Sequence, residues 1–337
     1  MSPAWPADAW RGRVLVIRLS SLGDVVLATG PVRLLRERRP ELAIDLLTRA
    51  AYVPAVRGVP GIARVLVEED GPPPPPAPAY ACVLDWQQGA KGARAAARFA
   101  PGAPRIGYPR AALRRRLIVG LGRRCVSPPE PYVVRLARTI SGGAIDPARL
   151  QPRALADPGR VERCRRWLDE QGRPGRGWVA LAPGASRVMK EIPRGLAAAL
   201  GERCRGAGHG VVRIQPPAGR ASGVAAPGET VFRGPLEEIL ALLASVRLLI
   251  GSDSGILHLA TAVGTPAVCL YGCTAPELGF SPLGNAVALG VDLPCRPCHV
   301  HGANRCWLGH QRCWTEQSPD RIWAAATACL AGARTPA

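Results

Sequence analysis

Arg13-Val14-Leu15-Val16-Ile17-Arg18-Leu19 runs directly into Ser20-Ser21-Leu22-Gly23-Asp24, and this stretch decides the fold. The apolar run reads as a buried strand, the small polar residues after it as a turn, and residues 25 to 39 as a helix interrupted at Gly30-Pro31. Strands are expected next at residues 43 to 47, 64 to 67 and 81 to 84, with helical or turn segments between them. The same alternation begins again at Trp178. It gives strands at 178 to 181, 210 to 214, 248 to 250 and 267 to 271, and helices at 194 to 205, 236 to 244 and 256 to 263. Two such series predict an α/β protein of two Rossmann-like domains facing a central cleft, 1–160 and 161–337, with the changeover in the Pro-, Gly- and Arg-rich residues 150 to 177.

Length and composition agree with two folded domains. The chain has 337 residues, 47% hydrophobic and 20% charged, which excludes a small single module and wholesale disorder. The net charge of +19 predicts a polyanionic partner. Only Lys91 and Lys190 are lysines, so nearly all of that charge is arginine, and part of it reflects composition. Residues 1 to 13, with Trp5, Pro6, Asp8 and Trp10, lack the apolar core of a signal peptide, and no stretch is long and apolar enough to span a bilayer. Export is not expected. The proline-rich residues 71 to 79 read as a stiff surface insertion without assigned function.

Three turns follow strands and open helices, and each offers backbone amides and small side chains at a helix N-terminus, where an anion binds. In the first, Ser20, Ser21 and Gly23 allow close approach of a ligand, and Asp24 is either a general base or a helix cap. In the second, Pro183-Gly184-Ala185-Ser186 precedes Lys190 and Pro193. Ser186 and the amides suit phosphate oxygens and Lys190 their charge, the alternative for Lys190 being a solvated surface residue. The third is Gly251-Ser252-Asp253-Ser254-Gly255-Ile256-Leu257-His258. Here the amides of Ser254 and Gly255 would face a diphosphate, while Asp253 could be only a cap and His258 only a core histidine. Neither G-x-x-x-x-G-K-[ST] nor G-x-G-x-x-G is present, which argues against a P-loop NTPase or a dehydrogenase.

In this order the motifs resemble glycosyltransferase family 9, the bacterial ADP-heptose:lipopolysaccharide heptosyltransferases. Leu84-Asp85-Trp86-Gln87-Gln88-Gly89 with Lys91, Arg105-Ile106-Gly107-Tyr108 and Leu270-Tyr271-Gly272 with Pro276 add to the likeness, which covers nearly the whole chain. The resemblance implies a GT-B fold, the N-terminal domain binding the acceptor and the C-terminal domain the nucleotide sugar. It implies inverting transfer of heptose from ADP-heptose to the inner core of lipopolysaccharide, with no metal or other cofactor in catalysis. Asp24 would be the base; Lys190 and Ser186 would hold the donor diphosphate; Asp253, Ser254, Gly255 and His258 would complete the donor site. Ser20, Ser21, Gly23, Lys91 and Arg94 would serve the acceptor.

Two departures from the family stand out. Lys190-Glu191-Ile192-Pro193 replaces the usual K-R-W-P, and Ile214-Gln215-Pro216-Pro217-Ala218-Gly219-Arg220 lacks the acidic residue that holds the ribose in many members. The first alternative is therefore a family member using another nucleotide sugar. The second is a binding protein without turnover, against which the joint presence of Asp24, Lys190, Asp253 and His258 argues.

Lys91, Arg94 and Arg98 share one face of an expected helix, and Arg110, Arg114, Arg115, Arg116, Arg123 and Arg124 extend a basic patch suited to an acidic glycolipid or an anionic membrane surface. Without interleaved aromatics or a recognised module, nucleic acid is not an expected partner. The enzyme is expected in the cytoplasm, peripheral at the inner face of the inner membrane. Cys295-x-x-Cys298, Cys306 and Cys313 have spacing that could give four thiolates to a structural zinc, with reduced thiols or a disulfide as alternatives. The run is similar to one in heptosyltransferase II-like members of the family.

Overall fold

The protein, described here from a computed structural model, is defined for residues 9–72, 79–122, 125–142, 144–172, 174–215 and 226–332. Trp5, Pro6, Asp8, most of the proline-rich stretch, Arg123, Arg124 and residues 216–220 of the ribose-side segment lie outside these. Contacts divide the chain into one unit of Met1–Arg110 with Glu130–Leu155 and another of Ala111–Pro129 with Ala156–Ala337.

The first unit carries β1 (Arg13–Ile17), α1 (Leu22–Arg38), β2 (Ala43–Thr48), α2 (Val53–Val56), β3 (Arg64–Val67), β4 (Tyr80–Asp85), α3 (Gly89–Phe99) and β5 (Arg105–Gly107). The next helix, α4 (Ala112–Leu121), belongs to the second unit, and α5 (Tyr132–Ala137) returns to the first. All strand pairs are parallel, in the order β3-β2-β1-β4-β5. β1 explains the arrangement. Val14, Leu15, Val16 and Ile17 are fully buried, as a parallel strand covered on both faces requires.

The second unit adds α6 (Pro158–Gln171), β6 (Trp178–Ala182), α7 (Arg194–Gly206), β7 (Gly210–Ile214), β8 (Thr230–Phe232), α8 (Leu236–Ser245), β9 (Leu248–Ser252), α9 (Gly255–Val263), β10 (Ala267–Leu270), β11 (Ala286–Leu289), α10 (Arg312–Thr315) and α11 (Pro319–Gly332). Its parallel sheet runs β8-β7-β6-β9-β10-β11. In each sheet the winding direction reverses beside the first strand, between β1 and β4 and between β6 and β9. Doubly wound sheets bind ligands outside the carboxyl ends of strands at such a reversal.

One expectation is corrected. Gly30-Pro31 does not interrupt α1, which runs unbroken from Leu22 to Arg38. Residues 25 to 32 of the helix are all buried, and tertiary packing of this kind outweighs the hydrogen bond that a proline removes. Gly30 instead serves a close approach, because a Cβ there would lie 2.0 Å from the Leu150 carbonyl oxygen. Thr29 Oγ1 accepts from the Arg153 N–H at 2.9 Å beside it. Gly30→Ala is expected to cost about 3 kcal/mol through overpacking against backbone and to lower a calorimetric melting midpoint by roughly 5–10 °C. Residues 150 to 177, where the changeover was expected, are not all turn and coil. They hold α6, started by Asp157, whose carboxylate accepts from the Arg160 N–H at 2.9 Å, and by Pro158 in its first turn.

Among the described residues no helix is long and apolar enough to cross a membrane.

Candidate functional site

In the first unit, the turn after β1 meets the turn after β4. The Gln87 side-chain oxygen accepts from the N–H groups of Leu19 and Ser20 at 3.1 and 3.2 Å, tying the two loops together at the sheet's reversal. Ser21 is the N-cap of α1, so Asp24 falls on the third helical residue. Its Oδ2 accepts from Ser21 N and Ser21 Oγ, both at 3.0 Å, and lies 2.5 Å from Arg18 Nη2. Every one of these contacts converges on Oδ2, and among the described residues nothing donates to Oδ1. The carboxylate is therefore both oriented and left with one oxygen able to take a proton.

Arg18 is itself held in place. It donates to the Trp86 carbonyl and its guanidinium lies 5.5 Å from the Tyr132 ring centre. Burial opposes its charge, but Tyr132 and the Asp24 carboxylate outweigh that cost, and its pKa is raised. Arg18 thus stays a cation with fixed geometry and acts as the positioning group of Asp24.

The second unit repeats the design with opposite charge. Ser252 Oγ at the end of β9 donates to the Gly184 carbonyl at 2.7 Å, joining the turns after β6 and β9. Lys190, closing a short 3-10 turn at Val188–Lys190, places Nζ 2.9 Å from Asp253 Oδ2. The same oxygen accepts from Thr274 Oγ1 at 2.8 Å. Lysine and aspartate are each only 13% exposed. Ser254 is the N-cap of α9, and its buried Oγ has no hydrogen-bond partner among the described residues. An unpaired buried hydroxyl at a helix N-terminus, beside a lysine, suits an incoming anion.

Lys190 rests on the cysteine-rich segment. The Met189 N–H donates to the Ala303 carbonyl at 2.9 Å, and Trp314 Nε1 donates to the Met189 carbonyl at 3.0 Å. Gly302, at φ +87°, abuts the lysine stem; a Cβ there would lie 2.5 Å from Lys190 Cδ. Arg296, buried between two cysteines of the sequence, donates to the carbonyls of Gly272 at 2.7 Å and Thr274 at 2.8 Å. It fixes the loop whose threonine holds Asp253.

Cys295, Cys298, Cys306 and Cys313 pack into one apolar cluster with Cys273, and all are free thiols. The Cys298 thiol donates toward Cys273, which drops to about 7 despite its burial, while the same hydrogen bond pushes Cys298 up. Burial raises Cys313 to about 11. Among the described residues no group of three or more His, Cys, Asp or Glu side chains is arranged to hold a metal ion. Of the four, Cys313 is buried, whereas Cys295, Cys298 and Cys306 are only partly so.

The structure brings Ser21 onto Asp24, and Lys190 onto Asp253. Ser20 lies in the same turn and Gly23 in the first turn of α1. Ser186 is exposed in the turn after β6, and Gly255 opens α9, where His258 is buried. Lys91 is exposed in the first turn of α3, while Arg94 lies a turn further along it. Sequence reasoning assigned no role to Arg18, Gln87, Thr274, Arg296 or Gly302. For Arg18 a signal existed, a charge inside an otherwise apolar run.

The fold has known counterparts. Escherichia coli ADP-heptose lipopolysaccharide heptosyltransferase II superposes with a TM-score of 0.70 at 18% identity, over 95% of this chain and 98% of that one. E. coli heptosyltransferase WaaC, solved with ADP, gives 0.62 at 15% identity, over 94% and 99%. The fold is therefore that of GT-B glycosyltransferases, with two Rossmann-like units. The family model for glycosyltransferase family 9 (heptosyltransferase) matches residues 77–306, more than half of the chain, and the chain belongs to that family. Lipopolysaccharide heptosyltransferase 1 of Pseudomonas aeruginosa is 29% identical over 131 residues; the match spans 37% of this chain and 37% of that relative.

Proposed function

We propose that this chain transfers heptose from ADP-heptose to the inner core of lipopolysaccharide, with inversion at the anomeric carbon and without a catalytic metal. The observation that carries the reading is the Lys190–Asp253 pair beside the unpaired Ser254 hydroxyl at the N-terminus of α9. A departing nucleoside diphosphate develops negative charge, and a lysine with helix-terminal amides stabilises it in place of a metal. Ser186 and Gly255 stand at the same edge of the sheet and would complete the diphosphate contacts, with His258 behind them.

Asp24 supplies the other half of a single displacement. As base it takes the acceptor hydroxyl proton onto Oδ1 while Oδ2 stays tied to Arg18 and Ser21. Attack on the face opposite the leaving group then inverts the sugar. Ser20, Ser21, Gly23, Lys91 and Arg94 are assigned to the acceptor, whose phosphates and carboxylates match the arginine-rich composition. Such an acceptor is anchored in a membrane, so the enzyme works at the inner face of the inner membrane.

The absence of an acidic residue from the ribose-side segment at 214–220 favours one second reading, a different nucleotide sugar. Purified protein is incubated with a truncated core acceptor, a chelator and, in turn, ADP-heptose, a UDP-sugar and a GDP-sugar. The expected product, read by mass spectrometry and by the anomeric coupling in its proton spectrum, is the heptosylated core of inverted configuration from ADP-heptose alone. Transfer from a UDP- or GDP-sugar only, or loss of transfer with the chelator, overturns the assignment.

A further inference from the structure

We infer that α4 is an interfacial helix that seats a row of leucines in the headgroup region of an anionic phospholipid bilayer. The helix reads Ala112-Leu113-Arg114-Arg115-Arg116-Leu117-Ile118-Val119-Gly120-Leu121. One face packs on the protein: Arg115 and Ile118 are buried, and the Arg115 guanidinium lies 5.2 Å from the Phe280 ring centre. At about 100° per residue, Leu113, Leu117 and Leu121 form a single stripe on the opposite face. They are 72%, 40% and 62% exposed. Gly120 falls within the stripe, and a Cβ there would meet nothing within 4 Å.

Isolated exposed leucines are ordinary on protein surfaces, but three aligned opposite the packed face of one helix form an apolar strip facing outward. Arg114 and Arg116, both exposed, flank that strip on either side. Apolar centre and cationic borders are the pattern of a helix lying in a membrane interface, where leucines enter the acyl boundary and guanidiniums reach the lipid phosphates. Ten residues span about 15 Å, half of a hydrocarbon core, so the helix lies in the plane rather than crossing it. A second copy of the chain seated on the same stripe would set the arginine borders of both copies against each other. A polyanion without an apolar phase would leave the leucines exposed. The net charge of +19 acts in the same direction as the borders.

The surface is independent of the transferase reading, because it requires neither acceptor nor donor. The test is co-sedimentation of the full chain with phosphatidylcholine vesicles and with vesicles containing phosphatidylglycerol. The wild type is expected to partition onto the anionic vesicles. Leu113→Ser/Leu117→Ser/Leu121→Ser is expected to lower the partition coefficient by about 100-fold or more, and Arg114→Gln/Arg116→Gln by about fivefold per arginine, with a weaker salt dependence. The leucine variant should keep wild-type turnover on a detergent-solubilised acceptor and lose it on vesicle-embedded acceptor. Equal vesicle binding by wild type and the leucine variant overturns the inference, as does a wild type that ignores anionic vesicles. A concentration-dependent dimer abolished by the leucine variant while vesicle binding persists also overturns it, in favour of a second copy. Should the triple variant misfold, the arginine pair carries the test alone, and unchanged vesicle binding by that variant is equally fatal.

Discussion

Asp24→Asn is expected to lower transfer by about 10²–10⁴-fold, the contribution of a positioned general base, while ADP binding measured by calorimetry stays at its wild-type value. The amide oxygen still accepts from Ser21, so the cap of α1 survives, but the proton acceptor is gone. The substitution also removes the counter-charge of buried Arg18. A parallel Arg18→Gln variant separates the two effects. It should weaken turnover by loosening the carboxylate yet stay more active than Asp24→Asn, because the base itself is still present. Turnover by Asp24→Asn within about tenfold of the wild type would remove Asp24 from the role, because a general base contributes more than that.

Lys190→Ala should reduce kcat/KM by about 10³-fold, near the upper range for loss of one charge-stabilising group. Part of that loss is not the missing ammonium. Asp253, 2.9 Å from Nζ, loses its partner and repels the incoming diphosphate, while Thr274 keeps it in position. Lys190→Ala/Asp253→Asn is therefore expected to be more active than Lys190→Ala alone, a coupling that a double-mutant cycle reads directly. If the double variant is no better than the single one, Asp253 is not a competing anion. Lys190→Arg is not a conservative control: a Cβ at Gly302 would already stand 2.5 Å from the lysine stem, and a planar guanidinium does not follow the same path.

Much of the fold was legible because parallel strands buried on both faces are written as short apolar runs. β7 has the bounds its sequence predicts, Gly210–Ile214, and so does the edge strand β3, Arg64–Val67, whose Val-Leu-Val run is apolar although only Leu66 is buried. The edge strands β5, β8 and β11 escaped notice because each is only three or four residues long, and β5 and β8 hold too few apolar residues to make such a run. α6 was hidden by its composition: among its many arginines only Cys164 and Leu168 are buried. Gly30-Pro31 misled for the opposite reason, since both residues signal a break locally and only the approach of Leu150 reveals what the glycine is for.

The candidate site divides along the same line. Asp24, Ser21, Lys190, Asp253 and Ser254 sit in turns whose chemistry is contiguous in sequence. Gln87, Thr274, Arg296 and Gly302 act on residues tens of positions away, and no local pattern marks a carbonyl held by a distant guanidinium or a lysine stem lying against a glycine. The cysteines are the clearest case. Their spacing speaks only of a metal, whereas the contacts of the segment also make it a buttress for the lysine turn and the Asp253 loop.

Gly302 gives that buttress an evolutionary meaning. Because its α-carbon faces the lysine stem at a φ of +87°, positions 190 and 302 cannot drift independently, although more than a hundred residues separate them. Joint randomisation of the two codons followed by selection for function should return glycine at 302 whenever lysine stands at 190. Larger residues should return only where the partner has shortened.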